Sequence, residues 1–117
     1  MSEQRYRNWR LYVLELENSN YYIGITTNLS RRNFQHFGKG GAKWTQKHKP
    51  IKVLQTKELG YMGESDAAEY ETYVTYLYIK KYGLDNVRGG NYCTVEPLVG
   101  KYRDRKMKDY RKRYDML

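Results

Sequence analysis

The stretch from Arg10 to Phe37 constrains the fold more than any other part of this sequence. Arg10 to Glu17 alternates around Leu11, Val13 and Leu16, the period of a half-buried strand. Asn18-Ser19-Asn20 is a polar turn, and Tyr21 to Ile25 is a second run of aromatic and β-branched residues. Together they predict a β-hairpin. Thr26-Thr27-Asn28 follows, and Asn28 or Thr27 can cap a helix that reaches Phe37. On that helix Arg32 and His36 are four residues apart and share a face. Adjoining elements thus carry Tyr12, Tyr22, Arg32 and His36 toward one place. The same residues also suit aromatic cross-strand pairs beside a solvated helix, and spacing alone favours that plainer use.

Gly38-Lys39-Gly40-Gly41 ends the helix, because glycine favours turn conformations. The loop from Lys39 to Pro50 sets Lys39, Lys43, Lys47, His48 and Lys49 around Trp44. It suits contacts to phosphate and base; the alternative is a solvated loop with Trp44 packed on the core. Ile51 to Thr56 reads as a third strand, and Leu59 to Gly63 as a turn. Ser65 or Asp66 caps a long helix, Asp66 to Tyr82, stopped by Gly83. Its positions Ala67, Tyr70, Val74, Leu77, Tyr78 and Ile79 recur at helical spacing and read as core. Leu84 to Gly90 reads as a turn with two glycines, carrying Arg88 as a candidate nucleic-acid contact. Asn91 to Val95 suits a short extended piece before Pro97.

The chain length, 117 residues, fits one small domain. Residues 1–9 read as a basic lead-in, 10–96 as the folded domain and 97–117 as a helical tail. From Lys101 onward eight Lys or Arg stand against three Asp, placing +5 of the net +9 there. Within the tail, Arg105, Lys108, Arg111 and Lys112 are candidates to track a phosphate backbone; a solvated charged helix is the plainer use. The net charge points to a polyanionic partner, nucleic acid before anionic membrane. One cysteine, Cys93, excludes an internal disulfide and a cysteine-rich zinc site. The sequence has no apolar run of membrane-spanning length and no signal-peptide core at its start. The expected compartment is the cytoplasm, or the nucleus in a eukaryotic host. Fourteen tyrosines suit half-buried and interfacial sites, whether packing a thin sheet or stacking on bases.

One ordered set of residues goes further. Tyr22-Ile23-Gly24 follows Arg10-Leu11-Tyr12, with ten residues from Tyr12 to Tyr22 and ten more to Arg32. Over residues 10–92 this resembles the GIY-YIG endonuclease family, in its small stand-alone branch and in the nuclease module of the repair protein UvrC. Ile25-Thr26-Thr27 and Gly40-Gly41-Ala42-Lys43 resemble that branch as well. Two positions depart from the pattern: Arg10 stands where the first motif has glycine, and Ile25 where several members have lysine.

The resemblance implies a metal-dependent DNA endonuclease. Tyr12 and Tyr22 would be the active-site tyrosines, with either one activating the water. Arg32 would bind phosphate, and His36 would relay a proton or bind phosphate. The metal ligand falls on Glu71 when counted from Ala67, or on Thr75 when counted back from Ile79-Lys80-Lys81-Tyr82. The two are one turn apart, and Glu71 is the reading adopted, with Mg²⁺ or Mn²⁺ as the ion. Asn86 takes the last signature position, with Asn91 as its rival. The expected fold is α/β of the α+β kind, a small three-stranded, mainly antiparallel sheet flanked by helices, with a basic C-terminal helix. Two other functions use the same residues: a degenerate domain that grips nucleic acid without cutting, and a tyrosine-rich interaction protein. Substrate specificity would then come from the Gly38 to Pro50 loop, the basic tail, oligomerisation or a partner chain.

Overall fold

The computed structural model describes residues 6–38 and 41–115. Eight principal elements follow in order. These are β1 (Tyr6–Leu16), β2 (Asn20–Thr26), α1 (Leu29–Phe37), α2 (Lys43–Lys47), β3 (Pro50–Gly63), α3 (Glu64–Tyr82), β4 (Val87–Gly89) and α4 (Gly100–Tyr114). The strands form one sheet in the order β3-β1-β2-β4. β1 runs antiparallel to β2 and β3, whereas β4 runs parallel to β2.

The class is α+β, but the sheet has four strands and is mixed rather than three-stranded and antiparallel. The fourth strand is only three residues long and lies in the segment read as a glycine turn. Val87, Arg88 and Gly89 pair with Tyr21, Tyr22 and Ile23. A parallel partner of that length leaves no alternating pattern to read. Two more boundaries differ. β3 continues through Leu59–Gly63, because those residues pair with β1 from Tyr6 onward, including residues expected to lie in the lead-in. The register shifts between Trp9 and Arg10, opposite Gly60 at φ +95°. α3 starts at Glu64, with Gly63 in the cap position, so Ser65 and Asp66 lie inside its first turn. The Lys39–Pro50 loop contains the short helix α2. Asn91–Val95 forms no strand, only a single bridge from Tyr92 to Gly89.

Side chains of β1 and β2 alternate between the two faces of the sheet. On one face Leu11, Val13, Tyr21 and Ile23 pack against Val74, Tyr76 and Ile79 of α3. α4 joins this core through Tyr110 and Tyr114, whose rings stack on Tyr76. The basic tail is therefore a docked helix with one aromatic face. On the other face Tyr12, Leu14, Leu16 and Tyr22 pack with Trp44 of α2 and Leu29 of α1. Each large side chain buried this way contributes about 1.5–3 kcal/mol. The two tyrosines of the motif thus lie under α1 and α2, and α3 lies behind the sheet.

Candidate active site

Tyr12 pairs with Gly24 across the hairpin. A Cβ at Gly24 would collide with the Tyr12 hydroxyl and ring. Glycine at this position therefore lets the phenol lie flat across β2. Tyr22 is two residues earlier on the same face, its ring centroid 6.2 Å from that of Tyr12.

α1 completes the group from above. Asn28 caps it, accepting from the Arg31 backbone N–H at 3.1 Å. The capped helix turns Arg32 and His36 inward. Tyr12 Oη and His36 Nε2 are 2.6 Å apart. Arg32 donates from Nε to Tyr12 Oη at 3.4 Å and from Nη1 to Gln35 Oε1 at 3.0 Å. His36 is only 1% exposed and also meets Thr45 Oγ1 through Nδ1 at 3.1 Å. Burial and the nearby Arg32 charge lower its pKa to about 4, so the imidazole is neutral at physiological pH. Burial, reinforced by the Glu71 charge, raises the Tyr22 hydroxyl above its usual range. Burial and the neighbouring Tyr22 raise Tyr12 in the same way, against the pull of Arg32.

The carboxylate arrives from the opposite face of the sheet. β4 pairs with β2 only as far as Ile23, so among the described residues no strand covers the outer edge of β2 beyond that point. Glu71 of α3 reaches that uncovered edge. There the Ile25 backbone N–H and Arg32 favour its charged form, yet burial prevails and lifts its pKa to about 7. Thr75, the alternative ligand position, is fully buried and donates to the Glu71 carbonyl at 2.7 Å. Glu69 is engaged elsewhere, accepting from Arg113 and Tyr114. Among the described residues no three His, Cys, Asp or Glu side chains come together. One half-buried carboxylate with a raised pKa, beside phenol oxygens, still fits a hard divalent ion. Such an ion keeps most of its water and takes further oxygens from a phosphate.

Several expected contacts lie elsewhere. Asn86 donates to the Tyr82 carbonyl at 2.8 Å, closing the far end of α3. That end is eleven residues, about 16 Å of helix, beyond Glu71. Asn86 is corrected to a capping residue outside the site. Asn91 is nearer: its backbone N–H bonds Thr72 Oγ1 at 3.2 Å, next to Glu71 in sequence. Trp44 is 3% exposed and donates its indole N–H to the Tyr21 carbonyl at 3.1 Å, so it is a core residue, not a base contact. Arg88 is also corrected. It is 1% exposed, its guanidinium 4.2 Å from the ring centroids of both Trp44 and Tyr92. It donates to the carbonyls of Leu84, Val87, Thr94 and Glu96, pinning the segment after β4. Lys43, Lys47, Arg105, Lys108, Arg111 and Lys112 are exposed, and Lys39 lies outside the described residues.

Sequence reasoning missed Thr45, Gln35 and Lys106. Thr45 sits in a stretch read as loop, where no periodicity marks an inward side chain. Lys106 is half-buried, bonding Asn91 Oδ1 at 3.1 Å over the rings of Tyr92 and Tyr110. The spacing of Lys106 and Tyr110, four residues apart on α4, could have shown it.

Comparison with known proteins agrees with this geometry. The family model described as the GIY-YIG catalytic domain matches residues 8–83. A UPF0213 protein of Cupriavidus pinatubonensis is 40% identical over 65 residues, covering 56% of this chain and 70% of its own length. A UPF0213 protein of Halalkalibacterium halodurans is 31% identical over 92 residues, covering 78% of this chain and 96% of its own. No solved structure matches the chain significantly. The chain belongs to the GIY-YIG family, whose catalytic domain is a nuclease fold.

Proposed function

We propose that the protein is a metal-dependent DNA endonuclease that hydrolyses phosphodiester bonds. The observation that carries this reading is the meeting of five side chains from four elements: Tyr12, Tyr22, Arg32, His36 and Glu71. Phosphodiester hydrolysis needs an activated water, charge stabilisation at phosphorus and a substrate held in line. Arg32 offers planar N–H donors to the phosphate oxygens. The tyrosine hydroxyls orient the water on the side of the bound phosphate. Glu71 would hold Mg²⁺ or Mn²⁺, which when bound supplies Lewis-acid stabilisation of the charge on the phosphate and the departing oxygen. His36, neutral and buried, can take up a proton from Tyr12. Exposed Lys43 and Lys47 on α2, and Arg105, Lys108, Arg111 and Lys112 on α4, supply sequence-independent affinity.

The test is incubation of the full chain with single-stranded, duplex and branched DNA, with and without Mg²⁺ or Mn²⁺. Metal-dependent cutting that disappears in Glu71→Gln and in Arg32→Ala is expected. Salt-sensitive binding with no cutting of any substrate overturns the nuclease reading and leaves a nucleic-acid-binding module.

A further inference from the structure

Resting on the nuclease reading, we infer that Thr45 is a positioning residue that fixes the tautomer of His36 and so leaves its Nε2 bare to accept the phenol proton of Tyr12. The argument follows hydrogen-bond direction. Thr45 has one hydroxyl proton, and its Oγ1 is 2.8 Å from the Ala42 carbonyl, which can only accept. That proton is therefore spent. The contact between Thr45 Oγ1 and His36 Nδ1 at 3.1 Å then needs its proton from the imidazole. A neutral imidazole carries a single N–H, so Nδ1 is protonated and Nε2 is bare. The bare Nε2 lies 2.6 Å from Tyr12 Oη and takes the phenol proton as its hydrogen bond. The lone pairs of Tyr12 are left for the Arg32 N–H and for a water. The ring centroid of Tyr22 is 5.0 Å from that of His36, but the imidazole's bare nitrogen is committed to Tyr12, and the charged group that bears on the Tyr22 hydroxyl is the Glu71 carboxylate.

The backbone is built to keep Thr45 there. A Cβ at Gly41 would collide with His36 Cα, His36 Nδ1 and Thr45 Oγ1. Without that atom, the start of α2 presses directly on the imidazole.

The proton path balances. The water gives a proton to Tyr12 Oη as the phenol proton moves to His36 Nε2. Hydroxide adds to phosphorus, the P–O bond to the departing oxygen breaks, and that oxygen takes a proton from solvent. The imidazolium returns its proton to solvent. The groups facing His36 are Tyr12, Tyr22, Arg32 and Thr45. Burial and the Arg32 charge both disfavour the imidazolium, and phosphate bound to Arg32 offsets the second.

The experiment compares wild type, Thr45→Val and Thr45→Ser as full chains. The chain has two histidines, so ¹⁵N imidazole spectra in a His48→Gln background report His36 alone. Wild type should show a protonated Nδ1 and a bare Nε2. Thr45→Val should shift that tautomer and lower the cleavage rate at least about tenfold, with DNA affinity unchanged. Thr45→Ser should restore both. A wild-type His36 protonated on Nε2, or a Thr45→Val variant that cuts at the wild-type rate, overturns the inference. Wild type that binds DNA but never cuts sinks the nuclease reading instead, and the spectrum alone then decides the tautomer.

Discussion

The Tyr12 hydroxyl stands 2.6 Å from Nε2 of His36, and the two residues come from opposite ends of the hairpin–helix unit. This contact places both inside a buried hydrogen-bond chain, so removing either hydroxyl or imidazole should cost chemistry more than affinity. Tyr12→Phe is expected to lower single-turnover cleavage by about 10²- to 10⁴-fold, the usual range for a proton-transfer group. Binding measured by fluorescence anisotropy should stay within about threefold.

Glu71 gives the pH dependence. Its pKa in the folded chain is about 7, raised by burial from the ordinary 4.5. Between those two values the folded chain holds a proton that the unfolded chain has released, so stability falls as pH rises through this window. In metal-free buffer Glu71→Gln should therefore raise the melting temperature at pH 8 and have little effect at pH 4. Scanning calorimetry at both pH values checks it.

The same carboxylate makes metal binding visible without activity. Mn²⁺ or Mg²⁺ should raise the wild-type melting temperature at pH 7 and release protons into a weak buffer. Glu71→Gln should show neither response. In cleavage assays at low metal, the rate should rise with pH through about 7, and more metal should move that limb to lower pH.

Gly24→Ala tests the close approach of Tyr12. The added methyl meets the phenol directly. Overpacking of this kind costs typically about 1–3 kcal/mol, read here as a lower urea midpoint. Cleavage should fall further than stability, because the displaced ring carries the hydroxyl away from His36.

Arg88 and Lys112 should separate folding from binding. Arg88→Met strips four carbonyls of their donor and should destabilise by at least about 2 kcal/mol, without changing the salt dependence of DNA binding once folded. Lys112→Ala should do the reverse, leaving the melt unchanged and making the log–log salt slope shallower by about 1.

The hairpin, α1 and most of α3 were legible because their patterns are local. Alternation marked β1, a run of aromatic and β-branched residues marked β2, Asn28 or Thr27 marked the helix start, and Gly83 marked the end of α3. Their spacing put Arg32 and His36 on one helix face, and the family resemblance gave them their roles. What stayed hidden depends on contacts made across the chain. The pairing of Val87–Gly89 with Tyr21–Ile23 is set by a parallel neighbour more than sixty residues away. Arg88 carried a basic signal fit for a surface, yet it lies against Trp44 in the core, where one of the two readings of that loop had put the indole. Asn86 fitted the motif order, but the length of α3 carries it away from the phenols. Glu71 could be chosen over Thr75 in the sequence only by counting from a resemblance; in the fold Thr75 is fully buried and Glu71 half-buried.

The shortness of β4 has a consequence for how this fold can vary. One more turn of chain zipped onto β2 would seal the flank at Gly24–Thr26, and a carboxylate from behind the sheet would have no way through to the phenols. Three paired residues therefore act as a stop on the sheet's growth. An insertion that lengthened β4 would leave a sounder sheet and a disconnected pair of half-sites.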